Sequence, residues 1–282
     1  MISREFKLKT IKYLFKIGGK ITPKLIARFA YGSFFARPFR NKPLPSDTDL
    51  IQLSQVLNLK FENKNMRGYC FGNGAKVVLL AHGWSSHALT QRKLIMRLLA
   101  EKDYTIYTFD APAHGNSDGI TTNGMQYRRF LHKLISIYKP IIVVAHSLGG
   151  ICTLTELPFI DNCSVNKVIT LAIPVTSQMM VSKFIEQANL PTTTHHHFEN
   201  IVQKIMKIDH NKFNLKRLYP NGIPYNGLII HDTNDNVIPY TEGVKLAKIW
   251  PTAKFITTHN LDHSGVLKDD HLISQLVDFI KS

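Results

Sequence analysis

One serine lies between an apolar strand pattern and a helical pattern in the middle of the chain. The segment Ile141–Gly150 has the sequence IIVVAHSLGG, so an apolar run leads directly into Ser147. A serine on such a sharp strand-to-helix turn presents its hydroxyl above the sheet, and Ala145 and Gly149 must be small because two backbones pass close beside it. The N–H of Leu148 opens the helix, where the helix dipole favours negative charge. The pattern predicts nucleophilic catalysis by Ser147.

A serine hydroxyl is a poor nucleophile without a base. Of the thirteen histidines, His263 follows the last predicted strand and precedes the terminal helix. Loops at the carboxyl ends of parallel strands share one edge of the sheet, so His263 and Ser147 can meet there. Asp235 leaves the preceding strand at the same edge and is the predicted carboxylate that orients the imidazole. Asp232, still at the strand end, and Asp262, beside the histidine, are the alternatives.

A second turn can supply hydrogen-bond donors to the same point. His82, Gly83 and Trp84 directly follow the first clear strand. In this position the backbone N–H of Trp84 can converge with that of Leu148, and two such donors would form an oxyanion hole. We expect the His82 side chain to brace the turn.

The remaining polar clusters favour structural roles. Asp110 and His114 lie in a turn after a strand, and we expect both to bond local backbone groups. We expect the run His195–His197 to be an exposed polar loop, because three successive side chains in a turn cannot easily converge on one metal ion. The sequence has no glycine-rich phosphate loop, zinc-ligand spacing or dinucleotide fingerprint.

Short apolar strands alternate with longer helical patterns from about Val77 onward. The predicted strands are Val77–Ala81, Tyr104–Phe109, Ile141–Ala145, Val168–Ile173, Leu228–His231 and Lys254–Thr257. The predicted helices lie near residues 88–101, 122–138, 148–157, 241–249 and 269–281. Because the strands are too uniformly apolar for a sheet with one exposed face, helices should cover both faces. The alternation predicts an α/β protein with a mainly parallel central sheet, and antiparallel edge strands within residues 51–70.

Residues 175–226 break this alternation. A structureless connection of that length is improbable in a compact domain. The segment has helical patterning, including Ile201, Ile205 and Ile208, so we predict a helical insertion.

Residues 1–44 form a basic extension before the predicted domain of residues 45–282. Residues 1–42 contain eleven Lys or Arg and one acidic residue, and so carry +10 of the net charge of +15. Basic residues recur every four positions from Lys12 to Arg28 beside an apolar stripe, which predicts two short amphipathic helices separated at Gly18-Gly19. Two interpretations stay open: peripheral contact with an anionic membrane through residues 1–42, or a helical extension that leaves its lysines in water.

Composition excludes several classes of protein. A chain of 282 residues with 44% hydrophobic residues can build a large core. Three scattered cysteines do not form a disulfide framework, and no apolar run approaches the roughly 18 residues of a membrane span. Because the excess charge is concentrated in the terminal segment, we predict no nucleic-acid partner. Cysteine usage and the absence of a signal-like apolar core favour the cytoplasm, with membrane association left open.

From about residue 70 onward the chain resembles the α/β-hydrolase superfamily. The landmarks that carry the resemblance occur in order: His82-Gly83-Trp84, the Asp110 to Ser117 turn, His146 to Gly150, the Asp235 to Pro239 turn, and Asp262-His263. The chain order of Ser147, Asp235 and His263 is that of these hydrolases. The likeness is to bacterial esterases and lipases with a cap between the later strands, here residues 175–226.

The resemblance implies a hydrolase with a small-molecule ester or related acyl substrate and neither a metal nor an organic cofactor. The same superfamily contains thioesterases, amidases and carbon–carbon bond hydrolases, so these remain alternatives, as does a binding relative without catalysis. The sequence leaves the oligomeric state undecided.

Overall fold

The protein is an α/β molecule built on one eight-stranded sheet. The computed structural model describes residues 4–36, 38, 40–206 and 213–282. The strand order is β1-β2-β4-β3-β5-β6-β7-β8. The strands are β1 (Gln55–Phe61), β2 (Lys64–Phe71), β3 (Lys76–Ala81), β4 (Tyr104–Phe109), β5 (Ile142–His146), β6 (Lys167–Leu171), β7 (Asn226–Asp232) and β8 (Lys254–Thr258). β2 pairs antiparallel with β1 and β4, and the other pairings are parallel, which confirms the predicted fold class.

Helices cover both faces of the sheet. The helices are α1 (Arg4–Ile21), α2 (Pro23–Ala30), α3 (Thr48–Gln52), α4 (Arg92–Ala100), α5 (Gly124–Tyr138), α6 (Leu148–Glu156), α7 (Ser177–Ala188), α8 (Thr192–Met206), α9 (Leu215–Leu218), α10 (Tyr240–Ile249), α11 (Asp262–Gly265) and α12 (Asp270–Lys281). One apolar cluster contains side chains of α5 and α6, and a second cluster contains side chains of α4 and α12. Every residue of β5 and β6 is buried, as expected for strands that are covered on both faces.

The predicted break at Gly18-Gly19 is wrong, because α1 runs through both glycines and ends at Ile21. Thr22 then occupies the N-cap position of α2, with its hydroxyl donating to the carbonyl oxygen of Gly18, and Pro23 occupies the first helical position. Packing explains the continuity. A methyl group at Gly19 would lie 2.5 Å from the Pro191 ring, so the missing side chain lets α1 approach the inserted helices closely.

In the described part of the segment predicted to be a helical insertion, helices α7, α8 and α9 lie between β6 and β7. The expected loop at His195–His197 is wrong, because these residues belong to α8. The helix is favoured by its buried face, where Thr194, Phe198 and Val202 recur every four residues. Ile208, and residues 1–3, 37 and 39 of the predicted extension, lie outside the described residues.

Among the helices the structure describes, none is both long enough and apolar enough to cross a membrane.

Candidate active site

Ser147 occupies a strained turn between β5 and α6. Its backbone has φ of 51° and ψ of −122°, a conformation that costs about 1–3 kcal/mol for a residue with a side chain. The packing requires the small residue predicted at Gly149, and it requires another at Gly150. A methyl group at Gly149 would lie 2.5 Å from the carbonyl oxygen of His82, and one at Gly150 would lie 2.3 Å from Ile173. The strand-to-helix turn therefore fixes where the serine hydroxyl points.

The structure brings the three predicted side chains together. His263 lies in α11, which follows β8, and its Nε2 atom is 3.1 Å from Ser147 Oγ. Its Nδ1 atom is 2.7 Å from Asp235 Oδ2, with Asp235 in the loop after β7. A hydrogen bond from Nδ1–H to the carboxylate leaves Nε2 as an acceptor for the serine proton. Each group thus has the partner that nucleophilic catalysis needs.

The Asp235 carboxylate is held in place on both of its oxygens. Its side chain is fully buried, and Oδ1 accepts hydrogen bonds of 2.8 Å from the N–H groups of Val237 and Ile238. Nearby, His231 Nε2–H donates to the carbonyl oxygen of Ile238 over 2.9 Å. Burial lowers the pKa of His231, so that this ring is neutral. The loop therefore presents a fixed anionic oxygen to His263.

The two alternative aspartates bond other groups. Asp232 Oδ2 accepts from the Thr258 hydroxyl and from the N–H of Leu261, and so ties the loop after β8 to the loop after β7. Burial opposes the ionised form of Asp232, but these hydrogen bonds outweigh it and lower the pKa of the carboxyl. Asp262 Oδ1 accepts from the N–H groups of Ser264 and Gly265 in its own helix.

The two predicted oxyanion donors lie beside the nucleophile. Trp84 and Leu148 both line a cavity that reaches Ser147. A methyl group at Gly83 would lie 3.0 Å from Ser147 Cβ, so the turn carrying Trp84 is in contact with the serine turn. Within the described part of the chain, neither the N–H of Trp84 nor that of Leu148 donates to a protein acceptor. Both donors are thus available for a ligand.

His82 and Asp110 hold the loops next to the candidate oxyanion donors in place. His82 Nδ1 lies 2.7 Å from the carbonyl oxygen of Gly83, and His82 Nε2 accepts from the N–H of Ala111. Burial, together with the neighbouring His114, lowers the pKa of His82 well below its usual value. Asp110 accepts from the N–H of Ala88 at 2.7 Å, and burial raises its pKa to about 6. These contacts brace loops.

The cavity above Ser147 has a volume of about 190 Å³ and mainly apolar walls. The inserted segment supplies several of its side chains, including Met180 and Phe184 of α7 and Phe213, which precedes α9. Phe35, which follows α2, lines the same cavity. Sequence reasoning missed Phe35, although its position in the aromatic segment after α2 marks it as a residue that needs a packing partner.

His146 is a second residue that sequence reasoning missed. Its ring is buried, and Nε2–H donates to the backbone carbonyl oxygen of His263 over 2.9 Å. Burial, with a smaller effect of the nearby His263, lowers the pKa of His146 to about 3, so the ring stays neutral. The residue before the nucleophile thereby holds the loop that carries the imidazole. Nothing in the local sequence indicates this long-range contact.

Among the described residues, no group of three or more His, Cys, Asp or Glu side chains is arranged to hold a metal ion.

The comparisons with known proteins agree with the fold. Residues 78–193 match the family model described as the alpha/beta hydrolase family. The structure of an esterase from Pyrococcus furiosus is similar with a TM-score of 0.63 and 17% identity, covering 87% of this chain and 97% of that one. An esterase from Exiguobacterium antarcticum has a TM-score of 0.63 and 17% identity, covering 81% and 100%. The thioesterase domain from the curacin biosynthetic pathway has a TM-score of 0.59 and 12% identity, covering 81% and 99%. No curated protein sequence matches the chain.

The matched segment contains the Ser147 turn and the turn that carries Trp84. The sheet around it has parallel strands β3 to β8 with antiparallel β2 and β1 at one edge. The chain has the α/β-hydrolase fold, and its residues 78–193 are similar to the alpha/beta hydrolase family.

Proposed function

We propose that the protein is a serine hydrolase that cleaves a carboxylic ester through an acyl-enzyme intermediate. The observation that supports this most directly is the hydrogen-bonded series from Asp235 Oδ2 through His263 to Ser147 Oγ, with distances of 2.7 and 3.1 Å. The series ends at an apolar cavity that Trp84 and Leu148 also line.

In the proposed mechanism, Ser147 Oγ attacks the ester carbonyl carbon while His263 Nε2 takes the hydroxyl proton. Asp235 stabilises the resulting imidazolium, and the N–H groups of Trp84 and Leu148 bind the negative oxygen of the tetrahedral intermediate. Collapse of this intermediate breaks the carbon–oxygen bond to the alcohol, which receives the proton from His263. Water then attacks the acyl-enzyme with the same base, and the acid leaves.

The cavity suggests which part of the substrate it holds. Aromatic and aliphatic side chains, including Trp84, Met180 and Phe184, surround the space next to Ser147. Such a surface binds an acyl chain by removing apolar area from water. We therefore propose esters of moderate acyl length as substrates.

A thioester is the second candidate substrate, because one of the similar structures is a thioesterase domain. The same serine, histidine and donors would serve both reactions. Rates with an aryl ester and with a thioester of the same acyl chain decide between them. A higher kcat/KM for the thioester would replace the ester proposal while leaving the proposed nucleophile unchanged.

The test of the proposed nucleophile is Ser147→Ala, assayed with a chromogenic ester and with a fluorophosphonate probe that labels activated serines. Ser177, which lines the same cavity, provides the matched control Ser177→Ala. We expect labelling and turnover to disappear in Ser147→Ala and to persist in the control. Wild-type turnover by a folded Ser147→Ala protein would disprove the assignment.

A further inference from the structure

Helices α1 and α2 leave a row of large apolar side chains in water. We call this row the exposed stripe. Its members are 43% to 74% exposed: Tyr13, Leu14, Ile17, Ile21, Leu25 and Phe29. A cluster of this size on two short helices is unusual on a monomeric surface and marks a site of interaction.

The stripe lies on the face of α1 that points away from the domain. Phe15 is only 2% exposed and Gly19 packs against Pro191, so these two residues mark the face that is turned inward. In a helix of 3.6 residues per turn, Leu14, Ile17 and Ile21 lie on the far side of this buried face. The inward face already has its packing partner, whereas Leu14, Ile17 and Ile21 are at least 43% exposed.

Basic side chains accompany the stripe on both helices. Lys12, Lys16 and Lys20 of α1 and Lys24 and Arg28 of α2 are all exposed. Among the described residues, none of these five side chains forms an ion pair. The sequence contains no acidic residue between Glu5 and Asp47. The surface is therefore both apolar and positive.

This arm, residues 4–36, is attached to the wall of the cavity. The hydroxyl of Thr193 donates to the carbonyl oxygen of Gly19 over 2.8 Å, which fastens α1 to α8. Beyond α2, the Phe35 ring centroid lies 5.1 Å from that of Phe184 and 5.4 Å from that of Phe198. Phe35 and Phe184 both line the cavity above Ser147. The arm is thus continuous with the wall that would hold an acyl chain.

The combination of apolar and basic groups selects one occupant. We propose that the exposed stripe docks on an anionic lipid bilayer and that the ester substrate of the proposed function reaches Ser147 from that bilayer. Apolar side chains enter the boundary between headgroups and acyl chains, and lysines meet the anionic headgroups. A second copy of the chain would oppose like charges across the contact. A nucleic acid would leave the aliphatic side chains of Leu14, Ile17 and Ile21 without apolar partners.

The docking half of the proposal is tested by sedimentation of the full chain with vesicles of phosphatidylglycerol or phosphatidylcholine. The stripe variant is Leu14→Gln/Ile17→Gln/Ile21→Gln. The matched control changes three exposed apolar residues elsewhere: Leu53→Gln/Ile120→Gln/Ile137→Gln. We expect the wild type and the control to sediment with phosphatidylglycerol vesicles and the stripe variant to lose at least about 100-fold in affinity, with weak binding of all three to phosphatidylcholine.

Equal sedimentation of the stripe variant and the wild type would overturn docking through the stripe. A wild-type protein that ignores both vesicles would overturn it as well. A lipid-free dimer that the stripe variant cannot form would show that a second copy covers the stripe. Tighter binding of the wild type to RNA than to the anionic vesicles would overturn the proposal, because the partner would then be a nucleic acid and not a bilayer.

The substrate half rests on the proposed function and has its own readout. We expect all three proteins to hydrolyse a water-soluble short-chain ester at equal rates. An ester lipid embedded in phosphatidylglycerol vesicles should be hydrolysed at least about tenfold more slowly by the stripe variant. Equal rates on the embedded ester, with the sedimentation difference intact, would overturn only the membrane origin of the substrate. Failure of every protein on both esters would overturn the proposed function, while sedimentation would still decide docking.

Discussion

The loops around His263 contain three aspartates, and their hydrogen bonds distinguish them. Asp235 has one oxygen on the imidazole and the other on two backbone N–H groups. Asp232 and Asp262 instead accept hydrogen bonds from backbone N–H groups of the loop and helix that carry His263. One aspartate orients the ring, and the other two shape its support. Residue type and strand order favoured Asp235 as the orienting carboxylate but did not predict what Asp232 and Asp262 bond.

Asp235→Asn is expected to lower kcat by about 10⁴-fold. The N–H groups of Val237 and Ile238 donate to Oδ1, so the amide oxygen of asparagine would take that position. Its NH₂ group would then face His263 Nδ1 and force the proton onto Nε2, which could no longer accept the proton of Ser147. Steady-state kinetics on the chromogenic ester measure the loss.

Asp262→Asn is the matched control for that substitution, because an amide oxygen can still accept from Ser264 and Gly265. We expect its kcat to fall by less than about tenfold, since only a local helix contact changes. If the two variants lost the same activity, Asp235 would not be the orienting carboxylate.

At the scale of elements, the sequence predicted what depends on local pattern. The strand Tyr104–Phe109 has the predicted bounds, and the other parallel strands differ by at most two residues at either end. Apolar β-branched runs bounded by turn residues carry this information directly. Helix α1 was predicted less well. Gly18 and Gly19 lower the intrinsic helix propensity, but the close packing of Gly19 against Pro191 offsets this cost. Tertiary contact overrides local propensity there.

Gly19→Ala is expected to loosen the arm even though alanine favours a helix. The added methyl group would lie 2.5 Å from Pro191 Cγ and 2.6 Å from Thr194 Oγ1. Overpacking of this kind costs about 1–3 kcal/mol, more than the gain in helix propensity of about 1 kcal/mol. Hydrogen exchange of the α1 and α2 amides should accelerate, and the temperature of thermal unfolding should not rise.

Gly32→Ala is the matched control within the same arm. Gly32 lies in the π-helical turn Tyr31–Phe35, and a methyl group there meets no atom within 4 Å. We expect unchanged or slower exchange for this variant. Faster exchange in Gly32→Ala than in Gly19→Ala would show that the glycine contact with Pro191 does not hold the arm.

Across the whole chain, the sequence predicted contacts between distant residues only where the order of parallel strands brings them to one edge of the sheet. Ser147 and His263 lie 116 positions apart, and parallel strands bring both to one edge. The contact of Phe35 with the cavity was not predictable in this way, because no strand order fixes where a helical arm folds back. It depends on aromatic packing with Phe184 and Phe198. Only the structure could therefore show that the arm contributes to the cavity wall.

The folded molecule buries several histidines near the site, among them His82, His114, His146 and His231, and this determines how its stability depends on pH. Burial lowers the pKa of His82 well below its usual value, that of His114 to about 4 and that of His146 to about 3. In the unfolded chain these rings take up protons near pH 6.5, whereas the folded chain keeps them neutral. The unfolded state thus binds more protons between about pH 6.5 and pH 4, so the free energy of unfolding falls as the pH falls. Asp110 acts in the opposite direction, because burial raises its pKa to about 6 and the folded state holds that proton more tightly.

The buried histidines outweigh the one aspartate, so urea unfolding should show a loss of at least about 3 kcal/mol in the free energy of unfolding between pH 7.5 and pH 5.5. His114→Gln removes one of these buried rings and should reduce this loss by about 1.4 kcal/mol, whatever its effect on stability at pH 7.5. His271→Gln changes an exposed histidine of α12 and is the matched control, since an exposed ring is hydrated in both the folded and the unfolded state. Stability that rises from pH 7.5 to pH 5.5 would mean that these buried rings are charged in the folded protein. A ring charged at His146 would also place a cation beside the imidazole that must accept the proton of Ser147, so the same titration bears on the catalytic assignment.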